Sequence, residues 1–157
     1  MTGETTLEEA RARLREKWLE GAECPCCRQF VKRYRRKLNS AMAMFVIALY
    51  REHQRVGFRT WVHGTEILRE RASDPGRGKL AWWGLVEEMP NPDDESKKTS
   101  GLWRLTVDGR AFACARLRVA SHSLSYNGEC LGLEGDLIDI HQALGRKFNY
   151  AELMERL

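Results

Sequence analysis

Apolar residues recur three or four positions apart near the start of the chain, which is the spacing of an amphipathic helix. These positions are Leu7, Ala10, Leu14 and Trp18. Thr6 and Glu9 have the spacing of a capping box, in which two side chains satisfy the free backbone groups of the first turn. The pattern predicts a first helix that ends near Leu19, with Gly21 as its stop signal.

A longer stripe of apolar residues runs from Gln29 to about Gln54 at the same spacing. It consists of Phe30, Tyr34, Leu38, Met42, Phe45 and Leu49. The stripe predicts one long amphipathic helix, which we expect to be the spine of the fold. Asn39 and Ser40 can instead cap a separate helix and divide the spine at that point, and the sequence leaves both arrangements open.

Shorter segments follow, separated by turn residues. In chain order they are a β-like run from Phe58 to Val62, a brief helix with Ile67 and Leu68 turned inward, a helix from Lys79 to Trp83, a strand from Leu85 to Met89, a polar loop from Pro90 to Ser100, a strand from Leu102 to Leu105, and a helix from Val107 to about Ala115 that Thr106 caps. Three helices followed by strand, loop, strand and helix give the chain order of a winged helix-turn-helix domain.

Two short sequences within this order resemble known regulators. Leu80–Glu87 reads LAWWGLVE and resembles the end of the recognition helix in MarR-like and PadR-like proteins. Trp103–Arg110 reads WRLTVDGR and resembles the segment that follows the wing in the same proteins. The resemblance covers about half of the chain and implies a winged helix-turn-helix domain over residues 38–115. Many such regulators are dimers, so it also allows a homodimer.

Nearly everything after residue 23 is also similar to small proteins encoded by bacteriophages. The segments that carry this resemblance are Cys24–Cys27 (CPCC), Val31–Lys37 (VKRYRRK), Trp82–Glu87 (WWGLVE), Trp103–Arg110 (WRLTVDGR) and Ala143–Met154 (ALGRKFNYAELM). The resemblance implies a phage origin, and therefore the cytoplasm of a bacterial host, but it brings no activity with it.

The last forty residues have patterns of their own. Asn127-Gly128, flanked by Leu124–Tyr126 and Glu129–Leu131, is a strong hairpin signal. Helices are expected from Ile138 to Leu144 and from Tyr150 to Leu157. We therefore expect an α+β fold, with a winged helix-turn-helix core, an N-terminal helix, and a C-terminal appendage of a hairpin and helix. The expected divisions are residues 1–28 with the cysteine knuckle, 29–118 with the winged-helix domain, and 119–157 with the hairpin and helix.

Composition limits where the protein acts and what it binds. No apolar run approaches the roughly 20 residues that span a bilayer, and the N-terminus lacks the pattern of a signal peptide, so we expect a cytoplasmic protein without a membrane partner. The net charge of +4 is uneven. Residues 1–80 hold 17 Lys and Arg against 10 Asp and Glu, a net of +7, whereas residues 81–157 hold 9 against 12, a net of −3. A basic half suits an anionic partner, although such charge is also common on solvated faces.

The winged-helix order and the basic half together predict a protein that binds double-stranded DNA and regulates transcription or another DNA transaction. The expected DNA contacts are Lys32, Arg33, Arg35, Arg36, Lys37, Arg77, Lys79, Trp82, Lys97, Lys98, Arg104 and Arg110. The third helix has few side chains that read base edges, and the expected wing carries three acids at its tip. The basic segment from Val31 to Lys37 therefore carries more of this prediction than the winged-helix motif does.

A protein-interaction module is the alternative prediction. Trp82 and Trp83 are adjacent, so one of them should face the core while the other is exposed or covered by the C-terminal appendage. An exposed Trp82 in an apolar patch, together with the appendage, would favour a host or phage protein as the partner. An acidic protein would also explain the basic segment.

The cysteines suggest a metal site. Cys24 and Cys27 have the C-x-x-C spacing with which two thiolates bind one Zn²⁺. One such pair is half of a tetrahedral site, and the candidates to complete it are His63, His122, Cys114, Cys130 or a second subunit. A zinc ion here, with Cys24, Cys27 and His63 as ligands, would have a structural role. The chain carries no phosphate-binding loop, nucleophile elbow or metalloprotease motif, so we do not expect an enzyme.

Overall fold

The computed structural model describes residues 5–18, 20–64, 67, 77–90, 101–126 and 129–155. Three of the features expected above lie outside these residues. They are the body of the expected wing with Lys97 and Lys98, the hairpin turn Asn127-Gly128, and the inward position of Leu68. Within the described part of the chain, no helix is both long enough and apolar enough to cross a membrane.

The chain forms two compact units, and each is described by itself. The first unit comprises Met1–Arg36 and Leu124–Gly132. The second unit comprises Lys37–Ser123 and Leu133–Leu157. Helices and small antiparallel sheets make up the chain, so the fold is α+β, as the sequence predicted.

The first unit begins with helix α1, Leu7–Lys17. The predicted capping box is confirmed, since the Glu9 amide donates to Thr6 Oγ1 at 3.1 Å and the Thr6 amide donates to Glu9 Oε2 at 3.3 Å. The Gly21 amide closes the helix on the Lys17 carbonyl at 2.8 Å. Strand β1, Ala22–Glu23, then pairs antiparallel with strand β2, Phe30–Val31. The result is a small hairpin with Cys24, Cys26 and Cys27 at its tip.

The predicted spine helix is wrong in its first part. Residues 30–31 are strand β2 and Tyr34–Lys37 are strand β3, while helix α2 runs from Ser40 to Val56. Asn39 caps α2, because its Oδ1 accepts the Met42 amide at 2.9 Å. A helix over this segment would place the like charges of residues 32 and 36, and of 33 and 37, one turn apart, where they repel. Strand geometry separates successive side chains onto opposite faces.

The second unit is built around α2. Met42, Phe45, Val46 and Leu49 of this helix are completely buried. The Phe45 ring meets the Trp103 ring edge to face at a centroid distance of 5.7 Å. A buried aromatic pair of this kind adds about 0.5–1.5 kcal/mol beyond its buried area. The apolar core of the chain therefore lies along α2.

A three-stranded antiparallel sheet packs on this core, in the order β4–β6–β5. Its strands are β4 (Val62–His63), β5 (Val86–Glu88) and β6 (Leu102–Leu105), and a 3₁₀ helix, Arg77–Trp83, precedes β5. Val62 pairs with Trp103, and Val86 pairs with Leu105. The predicted β5 and β6 are confirmed. The predicted β-like run from Phe58 to Val62 is wrong over most of its length. The strand in this region is Val62–His63, and these two residues pair with β6.

Helix α3, Val107–Ala113, follows β6 directly. Thr106 caps it as predicted, since its Oγ1 accepts the Gly109 amide at 2.9 Å and donates to the Gly84 carbonyl at 2.5 Å. Gly84 has a φ of +72°, the left-handed conformation expected for a glycine that ends a helix. Gly109 lies so close to the Leu85 carbonyl that an added Cβ would overlap it. Thr106 and Gly109 thus fix how α3 docks on the sheet.

The C-terminal segment contains two long strands and two short helices. Strands β7 (Val119–Tyr126) and β8 (Glu129–Ile138) form a sheet with β3 in the order β3–β7–β8. Helix α4, Ile140–Leu144, is capped by Asp139, and helix α5, Tyr150–Glu155, follows Asn149, whose Oδ1 accepts the Glu152 amide at 3.1 Å. The predicted hairpin strands and both helices are confirmed. Both strands run further from the turn than the sequence predicted.

Candidate nucleic-acid interface

The most basic stretch of the chain covers residues of the first unit up to Arg36 and ends at Lys37, the first residue of the second unit. Six of the residues from Cys24 to Lys37 are cations, namely Arg28, Lys32, Arg33, Arg35, Arg36 and Lys37, and none is acidic. All four residues of β3 are exposed, whereas Lys32 and Arg33 are half-buried. Five of these cations belong to the basic segment, Val31–Lys37, and Arg28 lies just before it. Alternate residues of a strand share a face, so Arg35 and Lys37 lie on one face of β3 and Arg36 on the other, and exposed cations of this kind can bind backbone phosphates.

Two exposed aromatic rings accompany the basic segment. Phe30 is 66% exposed and Tyr34 is 50% exposed, which is unusual for rings of this size. The Phe30 ring lies against Gly21, where a Cβ would overlap it. The ring can occupy this position because residue 21 has no side chain. The Lys32 ammonium lies 5.4 Å from the centre of the Tyr34 ring. Cations interleaved with exposed aromatic rings can bind phosphates and stack on bases.

Arg33 differs from its neighbours because it is tied to the rest of the first unit. Its guanidinium lies 5.1 Å from the centre of the Trp18 ring, and its amide donates to the Trp18 carbonyl at 2.5 Å. The Trp18 ring in turn lies 6.2 Å from the ring of Tyr126. Arg33 therefore holds the end of α1 in place, and a substitution there would change the structure as well as the charge.

The two adjacent tryptophans of the 3₁₀ helix are buried to different extents, and Trp82 packs against the core rather than standing fully exposed as one alternative of the prediction had it. Trp83 is 6% exposed, and its Nε1 donates to the Ala120 carbonyl at 2.7 Å. Trp82 is half-buried, and the Lys79 ammonium lies 4.6 Å from the centre of its ring. The expected DNA contacts Lys79 and Trp82 are thus together at this helix, and Arg77 is the first residue of the same helix.

Two more of the expected DNA contacts, Arg104 and Arg110, contact other side chains of the second unit. Arg104 donates two hydrogen bonds to Glu87 Oε2, at 2.7 and 3.1 Å, and stacks 4.2 Å from the centre of the Trp61 ring. Its charge is balanced by this carboxylate across β5 and β6. The Arg110 guanidinium lies 3.8 Å from the centre of the Phe58 ring, although Arg110 itself is exposed. The geometry favours a structural role for Arg104 and leaves Arg110 accessible.

The cysteine knuckle, Cys24–Cys27, joins β1 to β2 through a tight turn. The Cys24 amide donates to the Gln29 carbonyl, and the Arg28 amide donates to the Cys24 carbonyl, both at 2.8 Å. Arg28 has a φ of +64°, which turns the chain back into β2. Hydrogen bonds from the backbone amides of Cys27 and Cys26, and from the Cys27 thiol, lower the pKa of Cys24. The knuckle thus favours a thiolate at Cys24.

The other residues named for a metal site are spread over the chain. His63 is exposed on β4 of the second unit, Cys114 follows α3, and Cys130 is on β8. His122 Nδ1 is 2.6 Å from Ser121 Oγ on β7. Among the residues that the structure describes, no three His, Cys, Asp or Glu side chains are arranged to hold a metal ion. Of the predicted set, Cys24 and Cys27 lie in the first unit and His63 lies in the second.

A cluster of titratable groups in the second unit escaped the sequence predictions. Tyr50 of α2 hydrogen-bonds Cys114, and this bond, together with burial, raises the pKa of Tyr50. Burial also raises the pKa of Tyr150, whose hydroxyl donates to the Ala113 carbonyl at 2.5 Å. The His141 ring lies 4.5 Å from the ring of Tyr150. These contacts fasten α5 to the end of α3, so we interpret the cluster as packing between helices.

The outer strand β8 carries exposed leucines, which the sequence predictions also missed. Leu133 is 42% exposed and Leu137 is 62% exposed, in a strand at the edge of its sheet. The signal was present in the sequence, since β8 reads ECLGLEGDLI with leucines at alternate or fourth positions. An exposed apolar edge can pair with another chain.

Comparisons with known proteins add no relative. No protein-family model, no curated protein and no solved structure matches the chain.

Proposed function

We propose that this protein binds DNA and regulates transcription or another DNA transaction, with a winged-helix core in its second unit. The observation that carries the proposal is the exposed basic segment, with its aromatic neighbours Phe30 and Tyr34. A phage origin, inferred from sequence resemblance, would suit such a role.

The element order of the second unit supports the winged-helix part of the proposal. Helix α2 is followed by β4, the 3₁₀ helix, β5, β6 and α3. The sheet order β4–β6–β5 makes the last two strands a hairpin, with the first strand added beside β6. A winged helix-turn-helix has a recognition helix before such a hairpin, and the 3₁₀ helix with Lys79 and Trp82 occupies that position. This helix has seven residues, too few to present a long reading face to the major groove.

Electrostatics makes the basic segment the main source of affinity. Each cation that neutralises a phosphate releases condensed counterions, and this release steepens the salt dependence of log K by about 0.9 per contact on duplex DNA. A contact surface made of cations, without side chains that hydrogen-bond to base edges, gives an affinity that depends little on the DNA sequence. We therefore expect salt-dependent binding to many DNA sequences.

Because the rings of Phe30 and Tyr34 are exposed, a comparison of the affinities for duplex and single-stranded DNA tests whether these rings take part in binding. Duplex DNA offers its phosphates but keeps its bases stacked, whereas single-stranded DNA offers base faces as well. Stacking of one base on an aromatic side chain contributes about 1–3 kcal/mol. A preference for single-stranded over duplex DNA at equal salt would mean that the rings take part in binding.

A binding experiment on the full chain tests the proposal. Fluorescence anisotropy with duplex and single-stranded oligonucleotides at several salt concentrations gives the affinity of the wild type. The variant Lys32→Gln, Arg36→Gln, Lys37→Gln should bind both forms more weakly, and it leaves Arg33 in place on Trp18. The matched control is Arg118→Gln, Arg146→Gln, Lys147→Gln, which removes the same charge from exposed positions in the second unit. Absence of salt-dependent binding by the wild type at low ionic strength would refute the proposal.

A protein-interaction module is the second candidate, and Leu133 and Leu137 of β8 favour it. A partner strand could add to the edge of the sheet while the leucines contact it, which is a common way to recognise a peptide or a second protein. Trp82 supports this candidate less, because it is half-buried and has a lysine ammonium over its ring. If a host or phage protein is the partner, Leu137→Ser, which adds no charge, should weaken its binding and leave DNA affinity unchanged.

A further inference from the structure

The first unit has almost no apolar core. Among its described residues, the only buried apolar side chains are Ala10 and Val31, at 3% and 7% exposure. Its two hairpin strands are two residues long each, so the ladder between them is short. A segment of this size usually needs a disulfide or a metal ion to hold one conformation.

The cysteine knuckle is built in a way that can meet this need. Cys24 directly follows the first strand of the hairpin, and Arg28, in the left-handed conformation, returns the chain to the second strand. The backbone amides of Cys26 and Cys27 hydrogen-bond the Cys24 sulfur, and the Cys27 thiol does so as well. The sulfur atoms of Cys24 and Cys27 are therefore neighbours at the tip of the turn. Donors aimed at one sulfur are the outer-shell arrangement that stabilises a metal-bound thiolate.

We infer that Cys24 and Cys27 bind one Zn²⁺ ion, and that this ion holds the hairpin of the first unit in its folded form. Zn²⁺ prefers thiolates in a tetrahedral arrangement, and two cysteines separated by two residues fit two of its four positions. On binding, both thiols lose their protons, and the released protons go to solvent. The ion exchanges water for sulfur, so no oxidant or reductant takes part.

Two coordination positions remain for ligands from outside the knuckle. The described residues do not supply a third ligand in place. Cys27 is exposed, so the face of the ion away from the turn is open. A second knuckle from another copy of the chain, or another ligand of this chain, can fill that face.

The three cysteines of the turn have different roles in this arrangement. Cys26 donates its amide, and more weakly its thiol, to the Cys24 sulfur, but its side chain is exposed and it lacks the C-x-x-C spacing to Cys24 that Cys27 has. Cys26→Ser keeps that amide and removes only the thiol. It is therefore a matched control for Cys24→Ser and Cys27→Ser, which remove the proposed ligands.

The test is metal binding by the full chain, purified under reducing conditions without a chelator. Elemental analysis should find zinc in the wild type and in Cys26→Ser, and none in Cys24→Ser or Cys27→Ser. Titration with Co²⁺ should give the absorption of thiolate-to-metal charge transfer in the same two proteins alone. Absence of metal from the reduced wild type, or equal loss from all three variants, would overturn the inference.

A structural readout keeps the inference falsifiable if a variant folds poorly. Removing the metal from the wild type with a chelator should speed hydrogen exchange of the amides from residue 20 to residue 31. The amides of α2 in the second unit should exchange at an unchanged rate. Unchanged exchange in the hairpin after complete metal removal would contradict the stabilising role.

Discussion

The two units of this protein differ in what holds them together and in what they expose. The large buried side chains, such as Phe45, Leu80 and Phe112, belong to the second unit. The first unit buries two apolar residues among those described, yet it carries the cysteine knuckle, the exposed aromatic rings and most of the basic segment. The groups best suited to bind an ion or a nucleic acid thus lie where the apolar core is weakest. We interpret the second unit as the scaffold and the first as the binding part.

The largest expected effect is on the free energy of unfolding. A buried phenylalanine of the second unit and an exposed one of the first unit compare the two units. Phe112 of α3 is completely buried, so Phe112→Ala should lower the free energy of unfolding by about 3–5 kcal/mol, through lost burial and a cavity. Phe30 is 66% exposed, so Phe30→Ala should change it by less than about 0.5 kcal/mol. Urea denaturation monitored by circular dichroism measures both. Equal losses would break the comparison.

Phe30→Ala should instead weaken binding to single-stranded DNA. A lost stacking contact is worth about 1–3 kcal/mol, which corresponds to roughly 5- to 150-fold in affinity. Anisotropy against the wild type at one salt concentration gives the ratio. An unchanged affinity for single strands would remove the ring from the proposed interface and leave the cations as the only contacts.

Gly109 tests how tightly the second unit is packed. Any side chain at this position would overlap the Leu85 carbonyl, so Gly109→Ala should cost about 1–3 kcal/mol by forcing α3 away from the sheet. Val107 of the same helix is 80% exposed, and Val107→Ala should cost less than about 0.5 kcal/mol. Thermal unfolding of the two variants compares them. A tolerated Gly109→Ala would mean that α3 docks more loosely than described.

A smaller effect is expected at the start of α2, where the sequence left two arrangements open. Asn39 caps the helix by accepting the Met42 amide, so Asn39→Ala should cost about 1 kcal/mol. If one long helix ran through this position, alanine would stabilise the chain instead, because alanine has the higher helix propensity. The sign of the change in urea midpoint therefore decides between a separate helix and a continuous spine.

His53 gives the second unit a dependence on pH. Its Nε2–H donates to the Thr60 carbonyl at 2.9 Å, and burial lowers its pKa below the ordinary value of 6.5. The unfolded chain thus binds a proton at a higher pH than the folded chain does. The stability that neutral His53 contributes is complete above pH 6.5 and is lost as the pH falls from there through the folded-state pKa.

The difference in unfolding free energy between the wild type and His53→Gln, measured from pH 8 to pH 5, isolates this contribution. The advantage of the wild type should shrink below pH 6.5. His63→Gln is the control, because it removes an exposed histidine from the same unit. A difference for His53→Gln that does not vary with pH would show that both states titrate alike.

Local signals in the sequence predicted the starts of three helices correctly. Thr6 with Glu9, Thr106 and Asn149 each satisfy backbone amides within a few residues of themselves, so their effect can be read from neighbours in the chain. The predicted spine was wrong because Phe30 and Tyr34 happen to fall at helical spacing. These rings are exposed in the structure, so their spacing does not reflect a buried helix face.

Features that depend on distant residues could not be predicted in the same way. The two-residue strands β1 and β4 are defined by their partners, since they are too short to show any periodicity. Arg104, an expected DNA contact, forms an ion pair with Glu87, and only the register of β5 and β6 brings the two together. The contact of Tyr50 with Cys114 likewise needs the packing of α2 against the end of α3.

The salt dependence of DNA binding tests the central claim most directly, because it counts phosphate contacts in the basic segment. The slope of log K against log salt for duplex DNA should be shallower in Lys32→Gln, Arg36→Gln, Lys37→Gln than in the wild type, by about 0.9 for each contact removed. The control that removes Arg118, Arg146 and Lys147 should keep the wild-type slope. Equal slopes for the wild type and the basic-segment variant would contradict the account.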